Sequence, residues 1–87
     1  MVRIKYDDLV ILSHELSERR DELTRCLSNT DDTIRHLEDV LSSELTRSYV
    51  ERYNTVRPEI HNATLLLGDM SANLEALSNT LKDLTAL

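Results

Sequence analysis

The sequence predicts an all-α protein, an antiparallel helical hairpin expected to pair as a dimer into a four-helix bundle, and three observations carry that reading. Its composition suits helices: one Gly, one Pro, no Trp, no Phe and 30% charged residues, which leaves little material for tight turns or β-structure. Two long stretches repeat apolar residues in alternating steps of four and three, the spacing of one helical face. Between them lies a single plausible reversal. With 87 residues, the chain reads as one domain, residues 1–87, too short to hide a large core, so a partner is expected from the outset.

The first helix is expected over about 7–41. Its face runs Leu9, Ser13, Leu16, Arg20, Leu23, Leu27, Thr30, Ile34, Leu37, Leu41. Asp7 and Asp8 stand where acidic groups meet the free amides and the positive end of the helix dipole. At 1.5 Å per residue the helix would be about 50 Å long. The reversal is Leu41-Ser42-Ser43-Glu44, with the turn at about 42–44: Ser42 or Ser43 can cap the second helix and Glu44 favours its first turn.

The second helix, about 45–85, has the cleaner face, since every position in it is apolar. It reads Tyr49, Tyr53, Val56, Ile60, Ala63, Leu67, Met70, Leu74, Leu77, Leu81, Leu84. A sustained seven-residue repeat lets two helices stay in contact along their length. Pro58 interrupts the helix without changing the apolar phase, which predicts a kink within one helix and not a break into two. Beside the main faces lie thinner apolar sets: Leu12, Cys26 and Val40 on the first helix, Val50, Leu65, Leu66, Ala72 and Ala76 on the second. Two facing helices cover one stripe each. The flanking residues, with Tyr49, are therefore the expected partner surface, and the lone hairpin is expected to be marginal.

A formal charge of −6 and a pI near 4.9 oppose binding to phosphate backbones, so nucleic acid is not an expected partner. No apolar run approaches the roughly 20 residues of a membrane span, and Met1 to Tyr6 lacks the apolar core of a signal peptide. The expected location is cytoplasmic, or outside the cell by export without a cleaved leader. Cys26 is the one cysteine, so no internal disulfide can form, and it reads as a small packing residue.

Candidate chemistry is sparse. His14-Glu15 opens like the zinc motif His-Glu-x-x-His, but the fifth residue is Glu18. His36 and His61 fall on polar faces, and no carboxylate occupies either apolar face, whereas a di-iron bundle projects Glu and His inward. Asp31-Asp32 reads as a solvated stretch of helix. Gly68 alone cannot build a phosphate loop, and Asn62-Ala63-Thr64 matches a glycosylation acceptor only as a short chance pattern. No catalytic residue, metal, cofactor or small-molecule substrate is expected, and the chain is read as a non-enzyme.

The hairpin length, the central turn and the proline resemble the WXG (ESAT-like) family of small type VII secretion proteins. In that family a Trp-x-Gly turn joins two helices, followed by aromatic residues four apart and a Leu-Lys-Pro stretch. Here Leu41-Ser42-Ser43 falls at the turn, Tyr49 and Tyr53 at the aromatic pair, and Val56-Arg57-Pro58 at the proline stretch. The opening Ile4-Lys5-Tyr6-Asp7-Asp8-Leu9 is similar to the family's start. Two departures stand out: Leu41 and Ser43 replace the signature Trp and Gly, and the C-terminal Tyr-x-x-x-Asp/Glu export signal is missing, since Asn79 to Asp83 offers only its spacing.

The resemblance implies a secreted partner or targeting factor of a type VII (ESX/Ess-like) system. It would act by helix pairing with itself, with a related small protein or with the helical N-terminal domain of a toxin. A needle or filament subunit, and a secretion chaperone, are the alternatives the composition leaves open.

Overall fold

The structure, a computed structural model, describes residues 5–85. Met1 to Ile4, on which part of the leader reading and of the family-like opening rest, lie outside the described residues. Two helices account for nearly all of it, α1 (Tyr6–Val40) and α2 (Glu44–Thr85). They fold back on each other into a rod of 66 × 18 × 17 Å.

Local chemistry sets the ends. Lys5 is the extended residue before α1, and it offers no side-chain cap. Asp7 and Asp8 in the first turn supply the negative charge that the free amides favour there. At the other end Leu41 turns extended, with φ −134° and ψ 98°, while its N–H still donates to the Leu37 carbonyl at 2.9 Å. Ser43 then caps α2: its Oγ accepts from the Thr46 N–H at 3.2 Å and pairs with Thr46 Oγ1 at 3.1 Å. Helix α1 thus ends one residue short of the expected Leu41, and α2 starts one residue early, at Glu44. No described residue has a positive φ, so this reversal does not require glycine.

Helix α2 runs through Pro58 without interruption. Proline withdraws the N–H that the Asn54 carbonyl would have accepted. Both Asn54 and Pro58 are exposed, so water can take the place of that bond.

The seam between the helices is narrow and largely hydroxyl-lined. Ser13 Oγ donates to the Ser71 carbonyl at 2.8 Å, and Ser71 Oγ donates to the Ser13 carbonyl at 2.8 Å, with the two hydroxyls 3.1 Å apart. Seven residues along in each helix, Ser78 Oγ donates to the Tyr6 carbonyl at 3.4 Å. The buried polar residues are Ser13, Thr46, Thr64, Ser71 and Ser78, and among the described residues Leu27, 7% exposed, is the one buried apolar side chain. Thr64, Ser71 and Ser78 form a row at seven-residue spacing that faces α1.

This differs from the seam read off the sequence. Of the expected α2 face, Tyr53, Ile60, Leu67, Leu74 and Leu81 are half-buried, while Tyr49, Val56, Ala63, Met70, Leu77 and Leu84 are exposed. The helix is rotated so that its hydroxyl row approaches α1. The apolar arc spans two rows of the repeat, and two close helices bury only one of them.

Close approach continues at Gly68, where an added Cβ would lie 3.3 Å from Arg20 Cδ. Replacing Ser71 by Leu should overfill the seam and lower the melting temperature, a cost of about 1–3 kcal/mol. Gly68→Ala should raise it, because removing glycine from a helix interior gains up to about 1 kcal/mol and the flexible Arg20 stem can yield a few tenths of an ångström. Thermal melts followed by circular dichroism test both.

Candidate partner interface

The row that α2 turns outward does not stand alone. Leu12, Glu15, Leu16 and Arg19 of α1 line one open groove with Met70 and Leu74 of α2, which places these residues on the same side of the hairpin. Residues seven apart share a face of a helix in a coiled pair. Leu9, Leu16, Leu23, Thr30 and Leu37 therefore extend the groove along α1, and Tyr49, Val56, Ala63, Met70, Leu77 and Leu84 extend it along α2. Leu12, Cys26 and Val40 form the outer edge on α1, and Leu66, one turn from Ala63 and Met70, lies at the edge on α2.

Several of these side chains are large, apolar and open to solvent: Met70 and Leu77 are each 42% exposed, Tyr49 53% and Leu84 62%. Scattered apolar residues are ordinary on a surface, but a continuous strip along a whole molecule marks an interaction site. The strip's edges carry Lys5, Arg19 and Arg52 against Asp8, Glu15, Glu22 and Glu59. Arg19 pairs with Glu22 at 2.8 Å, and the Arg52 guanidinium stands 5.9 Å from the Tyr49 ring centre. The apolar face is close to neutral, so most of the chain's −6 is carried elsewhere.

The opposite face is polar. One groove there is lined by Arg20, Thr24, His61, Thr64, Leu65 and Asp69, among others. Nearer the turn, Asp31 ties the helices together. Its carboxylate accepts from Arg57 Nε at 2.8 Å and Nη2 at 2.7 Å, and from Tyr53 Oη at 2.6 Å. The Arg57 hydrogen bonds, then the Tyr53 bond, hold the Asp31 carboxyl down at about 2, and the same contact raises the Tyr53 hydroxyl. Asp31, which the sequence presented as solvated helix surface, is thus an inter-helix clamp; the partners that reveal this are 22 and 26 residues away.

Of the partner residues expected from the sequence, Leu12, Cys26, Val40, Tyr49 and Leu66 lie along the apolar face. Val50 lines a concavity beside the turn with Leu41, Ser42, Ser43 and Thr46. Leu65 opens onto the polar groove, and helical spacing puts Ala72 with Leu65, and Ala76 with Asn62 and Asp69, away from the apolar strip. Leu41 is half exposed at the tip and Ser43 is the α2 cap. The residues that sequence reasoning assigned to the inner seam, Val56, Met70, Leu77 and Leu84, are the ones the structure turns outward. The signal that distinguishes them is the hydroxyl row Thr64, Ser71, Ser78, which repeats in step with them on the other side of Leu67 and Leu74.

His14 and His36 are exposed singly, and among the described residues no group of three or more His, Cys, Asp or Glu is arranged to hold a metal ion. Among the described residues no helix is long and apolar enough to cross a membrane.

The molecule is a two-helix hairpin whose fully buried contacts are mostly hydroxyls and one of whose faces carries a row of exposed apolar side chains. The same fold occurs in EsxA of Geobacillus thermodenitrificans: the two superpose with a TM-score of 0.91 over 99% of this chain and 94% of that one, at 15% sequence identity. In fold the chain is thus an ESAT-like helical hairpin, as its resemblance to the WXG pattern implied. No protein-family model and no curated protein matches the sequence.

The clamp has a pH signature. A carboxyl whose folded pKa lies below its unfolded value of 3.8 contributes stability that is present above that value and is lost as pH falls toward about 2. The melting temperature of the unmodified chain should therefore fall more steeply between about pH 5 and pH 2 than that of Asp31→Asn, and equal slopes would show that the clamp contributes nothing.

Proposed function

We propose that this chain is a WXG-like protein of a type VII secretion system, serving as secreted partner or targeting factor by pairing its apolar face with another helical hairpin. The observation that carries the reading is the outward row Tyr49, Val56, Ala63, Met70, Leu77 and Leu84, matched across the groove by Leu9, Leu16, Leu23 and Leu37. The inner seam uses hydroxyl groups, so the apolar repeat of α2 has more surface than its own α1 covers. A second pair of helices laid on that face buries it and completes a four-helix bundle.

The fold shared with EsxA supports the reading, as do the aromatic pair Tyr49 and Tyr53 and Pro58, which fall where the family pattern has its aromatic pair and proline; Leu41-Ser42-Ser43 holds the turn position without the signature residues. Helix pairing requires no catalytic group, and the reading assigns none.

The test is export from the native host. A tagged chain should appear in the culture medium only when the type VII machinery is intact, and Leu77→Lys, which places a charge within the apolar face, should reduce the secreted amount to background. Asn62→Lys, on the opposite side of α2, should leave it unchanged. Equal secretion of all three with and without the machinery would end the proposal.

A further inference from the structure

We infer that Asp31 is the lock of a hinge at Pro58: by holding Tyr53 and Arg57 together it braces the turn of α2 that the proline weakens, and the turn end of the hairpin swings on that point when the brace is released. The lock needs only the hairpin, so its failure and that of the secretion reading are separate.

Pro58 lies inside α2 and has no N–H to give the Asn54 carbonyl, and its ring crowds that carbonyl. The turn from Asn54 to Pro58 is thus left open on its backbone. Proline also disfavours helical backbone at the residue before it, which here is Arg57. Sharp bends in long helices fall at such points. Pro58 is the chain's one proline, so α2 has no second such point.

Tyr53 and Arg57 are four residues apart, which puts their side chains on one face across the weakened turn. Both end on the same carboxylate: Asp31 accepts from Tyr53 Oη at 2.6 Å, and from Arg57 Nε at 2.8 Å and Nη2 at 2.7 Å. A side-chain bridge closes what the backbone leaves open, and the residue whose helical conformation the proline disfavours is the one held through two nitrogens. Arg57 first, then Tyr53, keep the Asp31 carboxyl at about 2, so the bridge stays charged at neutral pH.

Little else secures this stretch. An open concavity lined by Asp31, Ile34, Arg35, Asn54 and Arg57, among others, separates the helices there. Arg35 is engaged with Asp32 at 2.7 Å, and Tyr49 and Val56 are exposed. Thr46, buried near the turn, bonds to Ser43 of its own cap. Among the described residues, the hydrogen bonds that cross between the helices on the turn side of Leu27 all end on Asp31. Toward the open end, Ser13 with Ser71 and Ser78 with Tyr6 hold the seam independently. With the lock closed, Tyr49 and Val56 stay in line with Met70 and Leu77; with it open, the segment from Glu44 to Arg57 turns away from that line.

Hydrogen exchange of the full chain, read amide by amide by NMR, tests the lock. Asp31→Asn should speed exchange at Arg57, Glu59 and Ile60 by more than about tenfold, while Leu67 to Leu74 change by less than about twofold. When Pro58→Ala is also present, the backbone closes the turn by itself, and the same Asp31→Asn change should raise those rates by less than about threefold.

Equal acceleration with and without Pro58→Ala overturns the lock, because Asp31 would then tie the helices without regard to the proline. Unchanged exchange in Asp31→Asn overturns it as well. If Asp31→Asn loosens both helices throughout, Tyr53→Phe, which removes a single bond from the bridge, takes its place. Acceleration confined to Arg57, Glu59 and Ile60 in that variant supports the lock, and acceleration spread evenly along α2, or none, overturns it.

Discussion

The reciprocal pair of hydrogen bonds between Ser13 and Ser71 is the constraint from which the rest of the molecule follows. Each hydroxyl reaches the other helix's backbone carbonyl, which is possible only where two helices come close over small side chains. Once that contact is made, the antiparallel register is set. Ser78 meets Tyr6 one repeat in one direction, and Asp31 meets Arg57 and Tyr53 in the other. A one-residue slip would leave the buried hydroxyls unpaired, and unpaired polar groups away from water cost more than their bonds contribute. A polar seam of this kind specifies geometry more strongly than it supplies stability.

The consequence for function is a division of labour between the two sides of one repeat. The half-buried row Tyr53, Ile60, Leu67, Leu74 and Leu81 is shared, the hydroxyl row on one side of it belongs to the hairpin, and the apolar row on the other faces outward. An accessible surface of 7000 Å² exceeds the roughly 5,200 Å² expected for a compact monomer of this mass. The excess comes from the elongated shape, 66 Å long and about 18 Å across. For a chain with so thin an interior, the apolar row from Leu84 to Tyr49 stays open to solvent.

The turn shows why this fold does not need the Trp-x-Gly pattern that its reversal resembles. Glycine is demanded where the backbone must adopt positive φ, and no described residue here does so. Ser43 therefore fits, and its hydroxyl adds a cap at the start of α2 that glycine could not provide. Leu41 keeps an apolar group at the tip. The resemblance legible in Leu41-Ser42-Ser43 and Pro58 and the superposition on EsxA at 15% identity describe the same arrangement, reached by different side chains.

By itself the sequence determined that there are two helices, that they reverse near Ser43, that α2 continues past Pro58, and that apolar residues recur every seven positions. Each of these is a local property: helix propensity, a capping hydroxyl, and a phase unchanged across the proline. Only the tertiary structure decided which row of the repeat faces α1, and with it which residues form the candidate interface. The seven-residue pattern of α2 marks an apolar arc wider than one helix contact, and periodicity is the same whichever edge of that arc is buried. The choice was made by contacts between residues far apart in the chain: Ser13 with Ser71, Arg20 against Gly68, and Asp31 with Tyr53 and Arg57. No local spacing encodes them, because their energy depends on how closely two separate helices approach.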